Sequence, residues 1–85
     1  MMLKFLTDER PCPIDFPGTT VNLSAHVRAF NPSANVVEKV TITSNNGGFV
    51  RSFSLAPKES LVLIKDYEDT LTCTGSILIS GVSVY

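Results

Sequence analysis

An 85-residue chain with a formal net charge of −1 has room for one domain and carries no electrostatic footprint for a nucleic acid. Its seven Lys and Arg residues are spread along the whole length, so no basic stripe forms. Charged residues are 18% and hydrophobic residues 44% of the chain, a balance that suits a surface meant to be covered and equally an ordinary small β domain.

The chain opens MMLKFLTDERPCP, without the long apolar run of a secretory signal or a membrane span. A soluble chain made in a reducing cytoplasm is expected, with no membrane partner. Two cysteines, Cys12 and Cys73, are too few for a disulfide framework and are expected to stay free. Leu3 to Leu6 reads as a short first strand. Residues 7–18 follow, with prolines at 11, 13 and 17 that remove backbone donors and forbid a central strand. Residues 1–18 are therefore expected to be a first strand and an extended Pro-rich arm, with Ile14 and Phe16 free to pack on this domain or on a neighbour. Residues 19–85 form the β domain.

Thr19 to Phe30 alternates most clearly. Val21, Leu23, Ala25, Val27 and Ala29 share one face, and Asn22, Ser24, His26 and Arg28 the other. Asn31 to Asn35 is a turn cluster. Val36 to Ser44 is the next strand, with Val40 and Ile42 inward. Asn45-Asn46-Gly47-Gly48 tolerates positive φ and reads as a hairpin turn into Phe49 to Leu55. Arg51 interrupts the apolar face of that strand and places its end near a rim.

Ala56-Pro57-Lys58-Glu59 reads as a tight turn joining Phe49–Leu55 to Ser60–Lys65 as a strand pair. Ser-Leu-Val-Leu-Ile-Lys is a continuous apolar run, as in a strand covered on both faces. Asp66 to Asp69 is a turn, Thr70 to Cys73 a short strand, and Ser76 to Tyr85 the last strand. There Ile77 and Ile79 share a face, while Val82 and Val84 lie on the other unless Gly81 carries a bulge that turns them toward the core. No stretch has helical periodicity between caps. The expected fold is all-β: a compact antiparallel β-sandwich or barrel of six to seven short strands with the Pro-rich N-terminal arm.

Little in the sequence points to chemistry. The one histidine, His26, sits on the outward face of its strand with no partner suited to general base work. Cys73 has no histidine near it in sequence. Asp66, Glu68 and Asp69 lack EF-hand spacing and read as a solvated loop. No phosphate loop, zinc spacing or aromatic stacking platform is present. The expectation is a non-enzymatic protein with no cofactor, no bound metal and no nucleic-acid partner. Its surface would bind copies of itself or a larger assembly, the contrasting class being a small cellular β-sandwich that reads a ligand with its loops.

The run from Gly47 to Tyr85, GGFVRSFSLAPKESLVLIKDYEDTLTCTGSILISGVSVY, resembles small virion structural proteins of tailed marine phages, especially cyanophages. The resemblance rests on the strand Phe53–Leu55, the turn Ala56–Glu59, the apolar strand Leu61–Lys65, the pair Asp69-Thr70 and the last strand Ile77–Tyr85. It implies a virion component made in the host cytoplasm, present in many copies and forming homo-oligomers. Within that class the expectation is a capsid decoration or cement protein, whose partner is the major capsid protein or another virion subunit. A ring-forming neck or tail component, a head-tail connector or fibre-associated protein, is the alternative. The residues expected at the interface are Ile14 and Phe16 in the arm and Val82, Val84 and Tyr85 in the last strand.

Overall fold

The computed structural model describes residues 3–15, 18–45 and 48–84. Among these the structure is all-β: β1 (Leu3–Phe5), β2 (Arg10–Pro11), β3 (His26–Phe30), β4 (Glu38–Thr43), β5 (Val50–Leu55), β6 (Ser60–Ile64), β7 (Thr70–Cys73) and β8 (Leu78–Val84). They form two antiparallel sheets. One runs β1-β8-β3-β6, with β2 also on β8, and the other runs β5-β4-β7.

Period-two patterning sets the inward faces. In β4, Val40 and Ile42 are buried while Lys39 is exposed, as the alternation predicts. Val27, Ala29, Leu63 and Ile79 from the larger sheet and Val40, Ile42, Leu55, Leu71 and Cys73 from the smaller one join in a single buried cluster. The choice between sandwich and barrel is thus resolved as two sheets sharing one core. Along β5, Phe53 and Leu55 turn inward while Arg51 stays exposed at the rim.

Three expectations are corrected. Thr19 to Phe30 is not one strand. Only its second half, β3, is extended, and Thr19 makes a lone bridge to Leu71. Between them Val21, Asn22 and Leu23 are left-handed, with φ of 55°, 55° and 59°. Such a conformation costs about 1–2 kcal/mol per non-glycine residue. Local hydroxyls offset it. Thr19 Oγ1 accepts from the Val21 N–H at 3.1 Å, Thr20 Oγ1 from Leu23 N–H at 3.2 Å, and Ser24 Oγ donates to the Val21 carbonyl at 2.6 Å. Val21 is completely buried, while Leu23, expected inside, is 57% exposed. Ser and Thr side chains competed with the sheet ladder for the backbone and won.

The second correction concerns the proline-rich segment. Part of it is sewn into the larger sheet. Arg10 and Pro11 pair with Ile79 and Leu78, the Cys12 N–H donates to the Ile77 carbonyl at 2.8 Å, and the Pro13 carbonyl accepts from Cys73 N–H at 3.0 Å. Pro11 is tolerated because β2 lies at an edge, and Cys12 enters the core. β1 and β2 are not continuous. Four residues, Leu6 to Glu9, lie opposite two, Ser80 and Gly81, so the irregularity expected near Gly81 falls on the facing segment. β8 itself stays regular against β3 from Leu78 to Gly81. Gly81 is required for a different reason: a Cβ there would stand 2.2 Å from Ser24 Oγ.

The third correction is that β5 and β6 are not a hairpin. β5 pairs with β4, β6 pairs with β3, and the Ala56–Glu59 turn carries the chain from one sheet to the other. Lys58 adopts φ 65° in this arch, and the turn is closed by Glu59 N–H to the Ala56 carbonyl at 3.0 Å.

Asn31 holds the arch in place. It is fully buried. Its Nδ2 donates to the carbonyls of Val36 and Leu55 at 2.8 and 3.0 Å, and Oδ1 accepts from Ser33 N–H at 3.0 Å. Its backbone N–H donates to the Glu59 carbonyl at 2.9 Å, and its carbonyl accepts from Lys58 N–H at 2.8 Å. The side chain thus joins the end of β5 in one sheet to the end of β3 in the other. Replacing Asn31 with Ala leaves the buried Leu55 carbonyl without this donor, and a loss of about 3 kcal/mol is expected. Urea denaturation measures it; a loss below about 1 kcal/mol would mean the turns hold themselves.

Candidate functional site

The arch leaves both sheets open on one flank, since β5 and β6 each end their sheet. A cleft of about 400 Å³ lies there, lined by Phe49, Arg51, Ile64, Lys65, Asp66 and Asp69. Phe49 is 46% and Ile64 68% exposed. Arg51 stacks over the Phe49 ring with its guanidinium carbon 5.2 Å from the centroid. Ile64 corrects the expectation that Ser60–Lys65 is covered on both faces. Leu63 is buried on the inner side, and the outer side is open.

The charges around this cleft serve the local turn. Asp69 is buried and accepts from the N–H groups of Asn45 and Asp66 at 3.2 and 3.4 Å. Asn45 Nδ2 also donates to Glu68 Oε2. Lys65 is 4% exposed, and its Nζ donates to the carbonyls of Asp66 and Tyr67 at 3.1 and 3.2 Å. Burial lowers the Lys65 pKa, and Asp69 and Asp66 oppose that shift. No group of three or more His, Cys, Asp or Glu side chains among the described residues could hold a metal ion.

A second cleft, of about 440 Å³, opens beside the left-handed turn. Leu6, Leu23, His26, Tyr67 and Val82 are among its lining residues. Leu6, Leu23 and Tyr67 present apolar surface there, at 57%, 57% and 66% exposure. A third, of about 510 Å³, is lined by Phe5, Thr7, Asp8, Glu9 and Arg28. Arg28 pairs with Glu9 at 2.9 Å, with both side chains part exposed, an arrangement worth little to stability.

The residues expected at an interface do not come together. Ile14 is 62% exposed and follows β2, which pairs with the start of β8. Val82 lies toward the opposite end of β8, paired with Phe5, and is 2% exposed. That corrects its assignment as a contact residue: within this chain Val82 has almost no surface to offer. Val84 contributes its backbone to β8 opposite Leu3, its side chain is not described, and Phe16 and Tyr85 lie outside the described residues. Ile64, Val50 and Leu23 are exposed apolar side chains outside the expected interface set. Val50, Ser52 and Ser54 do alternate with Arg51, Phe53 and Leu55, a sign that one side of β5 faces water.

Cys12 and Cys73 meet beneath β2. Both thiols are free and buried. Cys73 Sγ lies 3.4 Å from the Cys12 carbonyl and 3.0 Å from that of Gly75. Burial pushes the Cys12 thiol far above its ordinary value, and the adjacent Cys73 adds to the shift. A raised folded-state pKa contributes stability that is complete below the unfolded value and is lost as pH rises. Above about pH 9 the unfolded chain ionises Cys12 and the folded chain does not. Stability is expected to fall there by up to about 1.4 kcal/mol per pH unit from this group alone. Lys65 acts in the opposite sense, so the Cys12→Ala variant isolates the effect. Its urea midpoint should fall less steeply with pH than that of the parent, and equal slopes would contradict the assignment.

Comparison with known proteins finds no matching family model, no matching curated protein and no matching solved structure.

Proposed function

We propose that this chain is a non-enzymatic structural protein of a tailed-phage particle, of the capsid decoration or cement type. In this role it binds capsid subunits and copies of itself through apolar surface that an isolated domain leaves wet. The observation that carries the reading is the pair of clefts whose rims are large exposed apolar side chains: Phe49 and Ile64 on the open flank, and Leu6, Leu23 and Tyr67 beside the left-handed turn. Clustered exposed apolar surface is a mark of contact with a partner. The resemblance of residues 47–85 to virion proteins supplies the setting, and the low charge content agrees with it.

The mechanism is interface burial repeated over a lattice. A stable contact hides about 800 Å² on each partner, and association costs consume much of the gross gain. Repetition over a shell multiplies contacts that are weak singly. The exposure of Ile14, just after the stitched segment, supports a role for this segment in reaching a neighbour.

Two measurements test this. The copy number of the chain in purified particles should be on the order of hundreds. About a dozen copies would instead mean a ring at the neck or tail, and absence from particles would end the virion reading. Removing residues 1–17 would strip β1, β2 and Cys12 from the fold, so a point change is the cleaner probe. Ile14→Asp should reduce particle binding about tenfold or more at unchanged urea midpoint; undiminished binding would remove the segment from the interface.

A further inference from the structure

The outer edge of β6 has the backbone, side-chain and charge pattern of a strand that pairs with itself. The hydrogen bonds flanking the β3–β6 ladder fix which groups are spent. Lys65 N–H donates to the Ala25 carbonyl at 2.8 Å and Asn31 N–H to the Glu59 carbonyl at 2.9 Å. In an antiparallel pair the bonded positions alternate, so Leu61 and Leu63 direct their backbone groups at β3. Ser60, Val62 and Ile64 direct theirs outward, where no strand among the described residues meets them. Natural edges are guarded by Lys, Pro, bulges or a covering segment. The five residues of β6, Ser-Leu-Val-Leu-Ile, contain neither Lys nor Pro, and the register with β3 is unbroken. Ile64, at the end of this edge, is 68% exposed.

We infer that β6 pairs antiparallel with β6 of a second copy across a two-fold axis at Val62, extending the larger sheet through both chains. An antiparallel edge is self-complementary under a two-fold axis, which a closed dimer requires. The charges favour this register. With Val62 opposite Val62 of the second copy, Ser60 faces Ile64, Glu59 stands opposite Lys65, and Lys58 opposite Asp66. The exposed pair, Lys58 and Asp66, then meets unlike signs twice, while Glu59 and Lys65 keep the hydrogen bonds they make within their own chain. Lys58 and Asp66 are exposed and outside the strand, and Lys58 would exchange its 2.8 Å hydrogen bond to the Pro32 carbonyl for the partner's carboxylate. Sliding the register two residues one way sets Lys58 against Ile64, and sliding it the other way sets Asp66 against Ser60. A five-residue edge is small beside the about 800 Å² per partner of a stable complex, so the dimer is weak and concentration-dependent. The inference is independent of the virion reading, because it concerns the purified chain alone.

Sedimentation velocity on the purified protein from about 10 µM to about 1 mM tests it. A reversible monomer–dimer equilibrium is expected, weakened about tenfold or more by Ile64→Lys, which guards the edge. Lys58→Asp and Asp66→Lys should each weaken self-association about tenfold, since each sets like charges opposite one another twice. Mixed together, those two variants meet unlike signs at both positions and should form a heterodimer of parental affinity. This mixing result stands even if Ile64→Lys fails to fold. A parental chain that stays monomeric throughout overturns the inference. So does a dimer indifferent to Ile64→Lys in a chain of parental urea midpoint, or a mixture that associates no better than its components.

Discussion

The fold depends on one buried amide. At Asn31 the two sheets are hydrogen-bonded to each other as well as packed, because its side chain reaches the Leu55 carbonyl at the end of β5 while its backbone stays in line with β3. A fully buried polar side chain is tolerable only when its partners are supplied, and here both Nδ2 hydrogens and Oδ1 are used. The same residue accepts Lys58 N–H, so the arch between β5 and β6 is built around it. The arch in turn leaves β5 and β6 as edges of different sheets, and the open flank follows from that.

The N-terminal segment completes the opposite side. β1 and β2 cover one edge of β8, and Cys12 closes the core under them beside Cys73. Proline suits this place because a sheet edge forgives a missing donor. The two flanks are thus unequal. One is sealed by an irregular strand pair with a two-residue excess, and the other ends in regular, unguarded strands. Irregularity is a common defence against edge-to-edge association, and among the described residues it is found on one flank only.

Much of the architecture was legible in the sequence, and the failures have specific causes. Val40 and Ile42, the β4–β5 pairing and the exposed end at Arg51 follow from period-two patterning and turn chemistry. The stretch from Thr19 to Ala25 misled because its alternation is genuine, while hydroxyls at positions 19, 20 and 24 bind the backbone locally. The turn at Ala56–Glu59 was correctly located, but a tight turn does not say whether the next strand stays in the same sheet. That choice rests with Asn31, twenty-four residues before Leu55, and no local pattern reports it. The apolar run in β6 predicts two-sided cover, whereas Leu61 and Leu63 face inward and Ile64 is left in water. Of the residues expected at the interface, Ile14 is exposed and Val82 is buried.

β8 lies between β3 and the β1–β2 edge, so the central strand of the larger sheet is the last to be synthesised. Until it emerges from the ribosome, β3 and β6 can pair only with each other, and β1 and β2 have nothing to pair with. A chain without β8 therefore carries an open edge on β3 as well as on β6. The larger sheet closes at the speed of long-range loop closure rather than of local turns.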